Sequence, residues 1–217
     1  APAPAGLIPA LQSPRADDPA DAQETGFRFC LNTSTIREQG LSLSDEVALC
    51  ARVGYDGIEP WMGELERHVA DGGSLDDLRM QIEDAGLKVE SAIGFANWIV
   101  DDEAERAAGI EQLRRDMDSL RQIGGTRIAA PPVGAHQGDA PTIDLLTIAE
   151  RYYQILEVGR DIGVTPQLEV WGFSKNLSRL GETAYVAIEC GHPDAIILPD
   201  IYHIFRGGSP FEGVELI

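Results

Sequence analysis

From Phe27 onward, short apolar runs alternate with amphipathic stretches that close on glycine. FRFCLNTSTI (27–36) predicts a strand and its loop. LSLSDEVALCARVG (41–54) predicts a helix, with Ser42 or Ser44 as N-cap, Asp45 and Glu46 favouring its first turn and Gly54 closing it. YDGIEPW (55–61) is a second strand stopped by Pro60, and SLDDLRMQIEDAG (74–86) a helix with Leu75, Leu78, Ile82 and Ala85 on one face. LKVESAIGFANWIV (87–100) contains a third strand, and 103–125 is a long helix ending in a glycine pair. TRIAAPPVGA (126–135) predicts strand four, 142–164 a helix, TPQLEVWGF (165–173) strand five, ETAYVAIECG (182–191) a short helix and AIILPDIYHIF (195–205) strand six.

Repeated strand–helix alternation requires parallel strands joined by right-handed crossovers. Two architectures satisfy this: an open doubly wound sheet and a (β/α)8 barrel. The first loop has neither GxGxxG nor a P-loop, which removes the usual nucleotide reason for an open sheet. Polar or aromatic residues instead stand at the C-terminal ends of nearly every strand: Asn32, Glu59 with Trp61, Asn97 with Trp98, His136, Glu169 with Trp171, and Asp200 with His203. A rim fed by many strands is how a TIM barrel builds its site, so the expected fold is an α/β (β/α)8 TIM barrel with about six of its eight βα units in this chain. Six strands alone would leave two open edges, so the expectation is a barrel truncated at its C-terminal side.

Composition narrows the function. The chain has 217 residues and a net charge of −19, from 36 acidic and 17 basic residues. Such a surface repels phosphate backbones, which argues against nucleic acid as a partner. No apolar run approaches membrane-spanning length, which argues against a membrane. Cys30, Cys50 and Cys190 are isolated and lack a CxxC, against a disulfide framework or a structural zinc site. Residues 1–26, rich in Ala, Pro and Asp without periodicity, are expected to be a disordered lead-in to a barrel domain over 27–217. This lead-in hints at export, although localisation, cytoplasmic or periplasmic, stays open, as does assembly into a homo-oligomer.

The chemistry concentrates in 165–209. Glu169 lies inside LEV and Asp200 closes IILPD, where an unpaired carboxylate is costly. Each must be paired, hydrogen-bonded or bound to a cation. Two carboxylates and His203, delivered by neighbouring strand ends, suit Mn²⁺, Mg²⁺ or Zn²⁺. The competing reading pairs each acid with an arginine or uses it to cap a turn.

FRFCLNTSTI, GYDGIEPW, GLKVESAIGFANWIVDD, GTRIAAPP, PQLEVWGFSK and ILPDIYHIFRGGS together resemble the sugar phosphate isomerase/epimerase family, the xylose-isomerase-like TIM barrels, over about residues 27–213. The resemblance implies a divalent cation held by a strand-five glutamate (Glu169), a strand-six aspartate (Asp200), a strand-seven histidine and a strand-eight glutamate. The last two have no counterpart here. It implies that His203, in Asp200-Ile-Tyr-His203, faces substrate beside the metal. The implied activity is isomerisation or epimerisation of a sugar by proton transfer next to a carbonyl through an enediolate. Glu169 would be ligand and base, and His203 a hydrogen-bond donor to a substrate oxygen. Two alternatives remain: a non-catalytic sugar-binding barrel, and a lyase or dehydratase acting on oxidised sugars. The related apurinic endonucleases need a basic face and many histidines, and this acidic chain has four.

Glu59 is a candidate substrate-binding residue, or the partner of a loop arginine. Trp61, Trp98 and Trp171 are candidates for a wall against which a sugar stacks, with Trp171 best placed, or else packing residues. His136 and His68 are expected at the surface and His192 in a turn. Lys175 and Arg206 are expected to be solvated, or to bind a phosphate or hydroxyl, although no anion-binding glycine loop supports a phosphate.

Overall fold

Serine and aspartate side chains start several helices of the computed structural model, which describes residues 26–217. The expected lead-in falls almost wholly outside these residues. Ser42 accepts from the Asp45 amide to open α1 (Leu43–Val53), and Gly54 closes it at φ 91°. Ser74 caps α3 (Leu75–Asp84), Asp102 caps α4 (Glu103–Gln122) and Asp144 caps α5 (Leu145–Ile162). Strands β1 (Cys30–Asn32), β2 (Gly57–Glu59), β3 (Lys88–Val89), β4 (Arg127–Ala130), β5 (Thr165–Glu169) and β6 (Ile196–Leu198) alternate with these helices, and α6 (Leu180–Glu189) precedes β6.

All strand pairs are parallel, in the orders β1-β2-β3 and β4-β5-β6. Backbone beyond β3 joins the two sheets: the Ala92 amide donates to the Arg127 carbonyl at 3.1 Å and Ala129 returns the bond to Ala92 at 2.8 Å. Strand order therefore follows chain order around one arc, as a βα barrel requires. The register sets Asn32 opposite Glu59, and Glu169 opposite Leu198, so the polar strand ends share one rim.

The core lies between the arc and its helices. Val47, Ile58, Leu65, Met117, Leu120, Ile128, Ile148, Tyr152 and Leu168 are buried there. The Tyr152 hydroxyl lies 2.9 Å from the carbonyls of both Pro166 and Ile196 and accepts from the Ile196 amide at 3.2 Å, tying α5 to β5 and β6. Trp98 belongs to this core: it is 1% exposed and its indole N–H donates to the Pro131 carbonyl at 2.9 Å. It is a packing residue, with no face left for a ligand.

Two elements depart from the sequence reading. α2 (Met62–Ala70) occupies the charged, helix-like stretch after β2 that holds His68 and has no place in the expected strand–helix alternation. The segment from Ile201, expected to continue strand six, turns instead into a short helix, α7 (Ile201–Arg206), started by Asp200. His203 thus sits on a helix at the rim and not on a strand.

Buried acids in the outer layer give a first prediction. Glu46 is 2% exposed, with Oε2 unpartnered, and burial beside Glu64 pushes its carboxyl from 4.5 up to about 7. The unfolded chain therefore releases this proton at lower pH than the folded one, and stability falls as pH rises between 4.5 and about 7. Above that window the loss is complete. Glu46→Gln is expected to remove this slope and to stabilise the fold at pH 8 by on the order of 1–3 kcal/mol. Urea melts of both proteins at pH 5 and pH 8 check it; equal pH dependence would contradict it.

Candidate active site

Five of the rim residues singled out in the sequence come from β2, the end of β5 and the start of α7. β5 ends on Glu169, which is 5% exposed, and its Oε2 finds no hydrogen-bond partner. Asp200 accepts from the His203 amide at 2.8 Å through Oδ1, the N-cap bond that starts α7. The same turn brings the His203 side chain back, and its Nδ1 is buried without a partner. One ligand atom from each of Glu169, Asp200 and His203 lies within 4.8 Å of the others. The capping alternative is therefore true of one oxygen of Asp200. The arginine alternative fails: among the described residues, neither Glu169, Asp200 nor Glu59 forms an ion pair.

Three acids facing one another without a cationic side chain repel. Burial pushes Glu169 up to about 8, with Asp200 and Glu59 adding to the rise. Glu59, half-buried, accepts from Asn32 Nδ2 at 2.8 Å, and its carboxyl is raised by burial and by Asp200 against the help of Asn32 and Ser91. Burial holds the His203 imidazole below its ordinary range, with Asp200 opposing. The orphaned Glu169 oxygen, converging with the Asp200 carboxylate and with His203 beside them, fits a divalent cation held by the two carboxylates.

An aromatic wall flanks this cluster. The Trp171 ring packs, tilted, at 5.0 Å from Phe173 and at 6.0 Å from His203, and Phe95 links Trp171 (6.2 Å) to Trp61 (4.9 Å). Trp171 thus stands beside His203 and Glu169. Trp61 stands further along, its indole N–H bonded to Asn32 Oδ1 at 3.0 Å.

His136 departs from the expected surface position. It is half-buried, its ring meets Trp171 edge-on at 5.4 Å, and its Nδ1 is enclosed and unpartnered. Its loop is pinned by the Lys175 amide, which donates to the His136 carbonyl at 2.9 Å. Lys175 and Arg206 are exposed, as is the bulk of a solvated basic residue. His192 holds its turn by accepting from the Asp194 amide at 3.1 Å and packs against Glu157 at 2.8 Å. His68 is half-buried, with Nε2 3.3 Å from the Ser74 carbonyl. Phe95 and Phe173 were missed in the sequence, and the signal was there: Phe95 lies two residues before Asn97, and Phe173 two residues after Trp171.

Residues 47–216 match the xylose isomerase-like TIM barrel family, and the chain belongs to it. Solved structures share the fold. The IOLI protein with a bound zinc atom superposes with a TM-score of 0.76 at 21% identity, over 88% of this chain and 69% of that one. D-psicose 3-epimerase in the presence of D-fructose gives 0.73 at 18% identity, over 86% and 68%. The probable 3-DHS dehydratase AsbF from Bacillus anthracis gives 0.71 at 18%, over 84% and 66%. The chain thus spans about two thirds of the length of these solved chains. No curated protein sequence matches it.

Proposed function

We propose that this barrel is a divalent-metal-dependent isomerase or epimerase acting on a hydroxylated ketone of the sugar class. The observation that carries the reading is the convergence of Glu169, Asp200 and His203, with a buried, unpartnered atom on each of Glu169 and His203. Glu169 and Asp200 would hold the cation, Mn²⁺, Mg²⁺ or Zn²⁺, which when bound supplies positive charge where negative charge builds on the substrate oxygens.

The side chains carry the rest. Glu169, as carboxylate, takes the proton from the carbon next to the carbonyl: the C–H bond breaks, an O–H bond forms on Glu169, and the electron pair moves onto the carbonyl oxygen to give an enediolate. Return of that proton to the neighbouring carbon, with the proton of that carbon's hydroxyl passing to the former carbonyl oxygen, isomerises the sugar; delivery of a solvent-derived proton to the original carbon from the opposite face, while Glu169 gives its own proton back to solvent, epimerises it. His203 donates a hydrogen bond to a substrate oxygen, Glu59 accepts from a substrate hydroxyl, and Trp171 covers the apolar face of the sugar and keeps water away. The same proton removal begins elimination if a hydroxyl leaves from the next carbon.

The test is proton exchange. The protein with Mn²⁺ in D2O, offered a panel of ketoses and 3-keto sugars, is expected to wash deuterium into the carbon beside the carbonyl of at least one of them, and chelation is expected to stop it. A protein that binds Mn²⁺ yet exchanges no substrate proton would sink the catalytic reading and leave a sugar-binding barrel.

A further inference from the structure

A pocket opens beside Trp61, between the segment after β1 and the start of α2. Its volume is about 370 Å³, within the range of small-ligand sites, and Arg37, Glu38, Glu46, Trp61, Glu64 and Arg67 line it. We propose that it is a second binding site, built for a neutral, hydroxyl-rich molecule of the carbohydrate class and separate from the Glu169 centre.

Glu46 makes the case. It projects from α1, is 2% exposed, and its Oε2 has no hydrogen-bond partner, while the residue borders the cavity. A buried acceptor left unpaired is destabilising, so a natural role for it is to receive a donor that arrives with a ligand. Glu64 uses Oε2 on the Thr33 hydroxyl and on the Trp61 amide (3.1 Å), which leaves its other oxygen for the cavity. Arg67 forms no ion pair among the described residues, and Arg37 is held by the Ser34 carbonyl (3.1 Å) and Glu38 (3.6 Å).

The mixture of charges selects the ligand. An ammonium would be repelled by the two guanidinium groups and an anion by Glu38 and Glu64, while burial leaves Glu46 protonated up to about pH 7, so that it offers hydrogen-bonding atoms there and no charge. A hydroxyl suits both, because it donates to Glu46 and Glu64 and accepts from Arg67. The Trp61 ring adds a surface on which the apolar face of a pyranose can lie. This site stands on its own residues and does not depend on the reaction at Glu169.

The probe is methyl β-D-glucopyranoside, which has no free carbonyl, titrated by ligand-observed saturation-transfer NMR. Four proteins are compared: the wild type, Glu46→Leu, Arg67→Ala and the double variant Glu169→Gln/Asp200→Asn. Thermal melts confirm that each is folded, and Arg67, being exposed, can be removed without risk to the core. The expected result is millimolar binding that weakens about tenfold or more in Glu46→Leu and Arg67→Ala and persists in the double variant. Absence of binding to the wild type would overturn the proposal. So would binding that survives both pocket substitutions, or that is lost in the double variant; this last result would assign the sugar to the Glu169 centre and leave the proposed reaction standing.

Discussion

Glu169→Gln is expected to abolish solvent-deuterium exchange into the substrate, by at least about 10²-fold. Glutamine keeps the size of the side chain and can still present an oxygen, but it cannot take a proton from carbon at neutral pH. The site offers no substitute base at that place: Asp200 has one oxygen committed to the α7 cap, and Glu59 is engaged with Asn32. Folding should survive, because a neutral amide relieves the repulsion that Asp200 and Glu59 impose on this buried group. Exchange rates and melting temperature measured together therefore separate the two effects. A variant that exchanges at the wild-type rate would remove Glu169 from the role of base.

Gly172→Ala is expected to disturb the site without touching a ligand. A Cβ on Gly172 would run into the backbone of His203, Arg206 and Gly207. Backbone cannot rotate away as a side chain can, so α7 must shift as a unit. That helix carries His203 and is capped by Asp200, and Arg179 clamps its far end through the Gly207 (3.1 Å) and Gly208 (2.8 Å) carbonyls. The predicted outcome is a loss of about 1–3 kcal/mol in stability together with weakened Mn²⁺ binding. Wild-type stability and affinity in this variant would contradict the close packing of the loop after β5 against α7.

Much of the architecture was legible because the local chemistry agreed with the global fold. Ser42, Ser74 and Gly54 mark helix ends by side-chain capping and left-handed backbone, and both signals are local in sequence. α2 escaped because only Met62 and Leu65 of its residues are buried, which is too thin an apolar stripe to read, and because its start lacks an ordinary capping residue: Glu64 reaches back to the Trp61 amide instead. α7 was mistaken for strand because Ile201, His203 and Phe205 alternate with Tyr202 and Ile204 in a run that reads as apolar; Asp200, already noted for its charge, was also the cap that turns the chain.

The same division holds at the site. Glu169 and Asp200 stood out because acids inside apolar runs are costly, an argument that needs no structure. Trp98 could not be sorted from Trp61 and Trp171 in this way, since which face of the arc a residue meets depends on where backbone beyond β3 joins β4. His136 was hidden for a like reason: its loop looks polar and mobile in sequence, and only the bond from Lys175, 39 positions away, sets it against Trp171.

The most direct test of the account is calorimetric titration of Mn²⁺ into the wild type and into Glu169→Gln and Asp200→Asn. The account predicts one cation per chain in the wild type and affinity lowered by about 100-fold or more in each variant. Binding that is absent from the wild type, or unchanged in both variants, would contradict it.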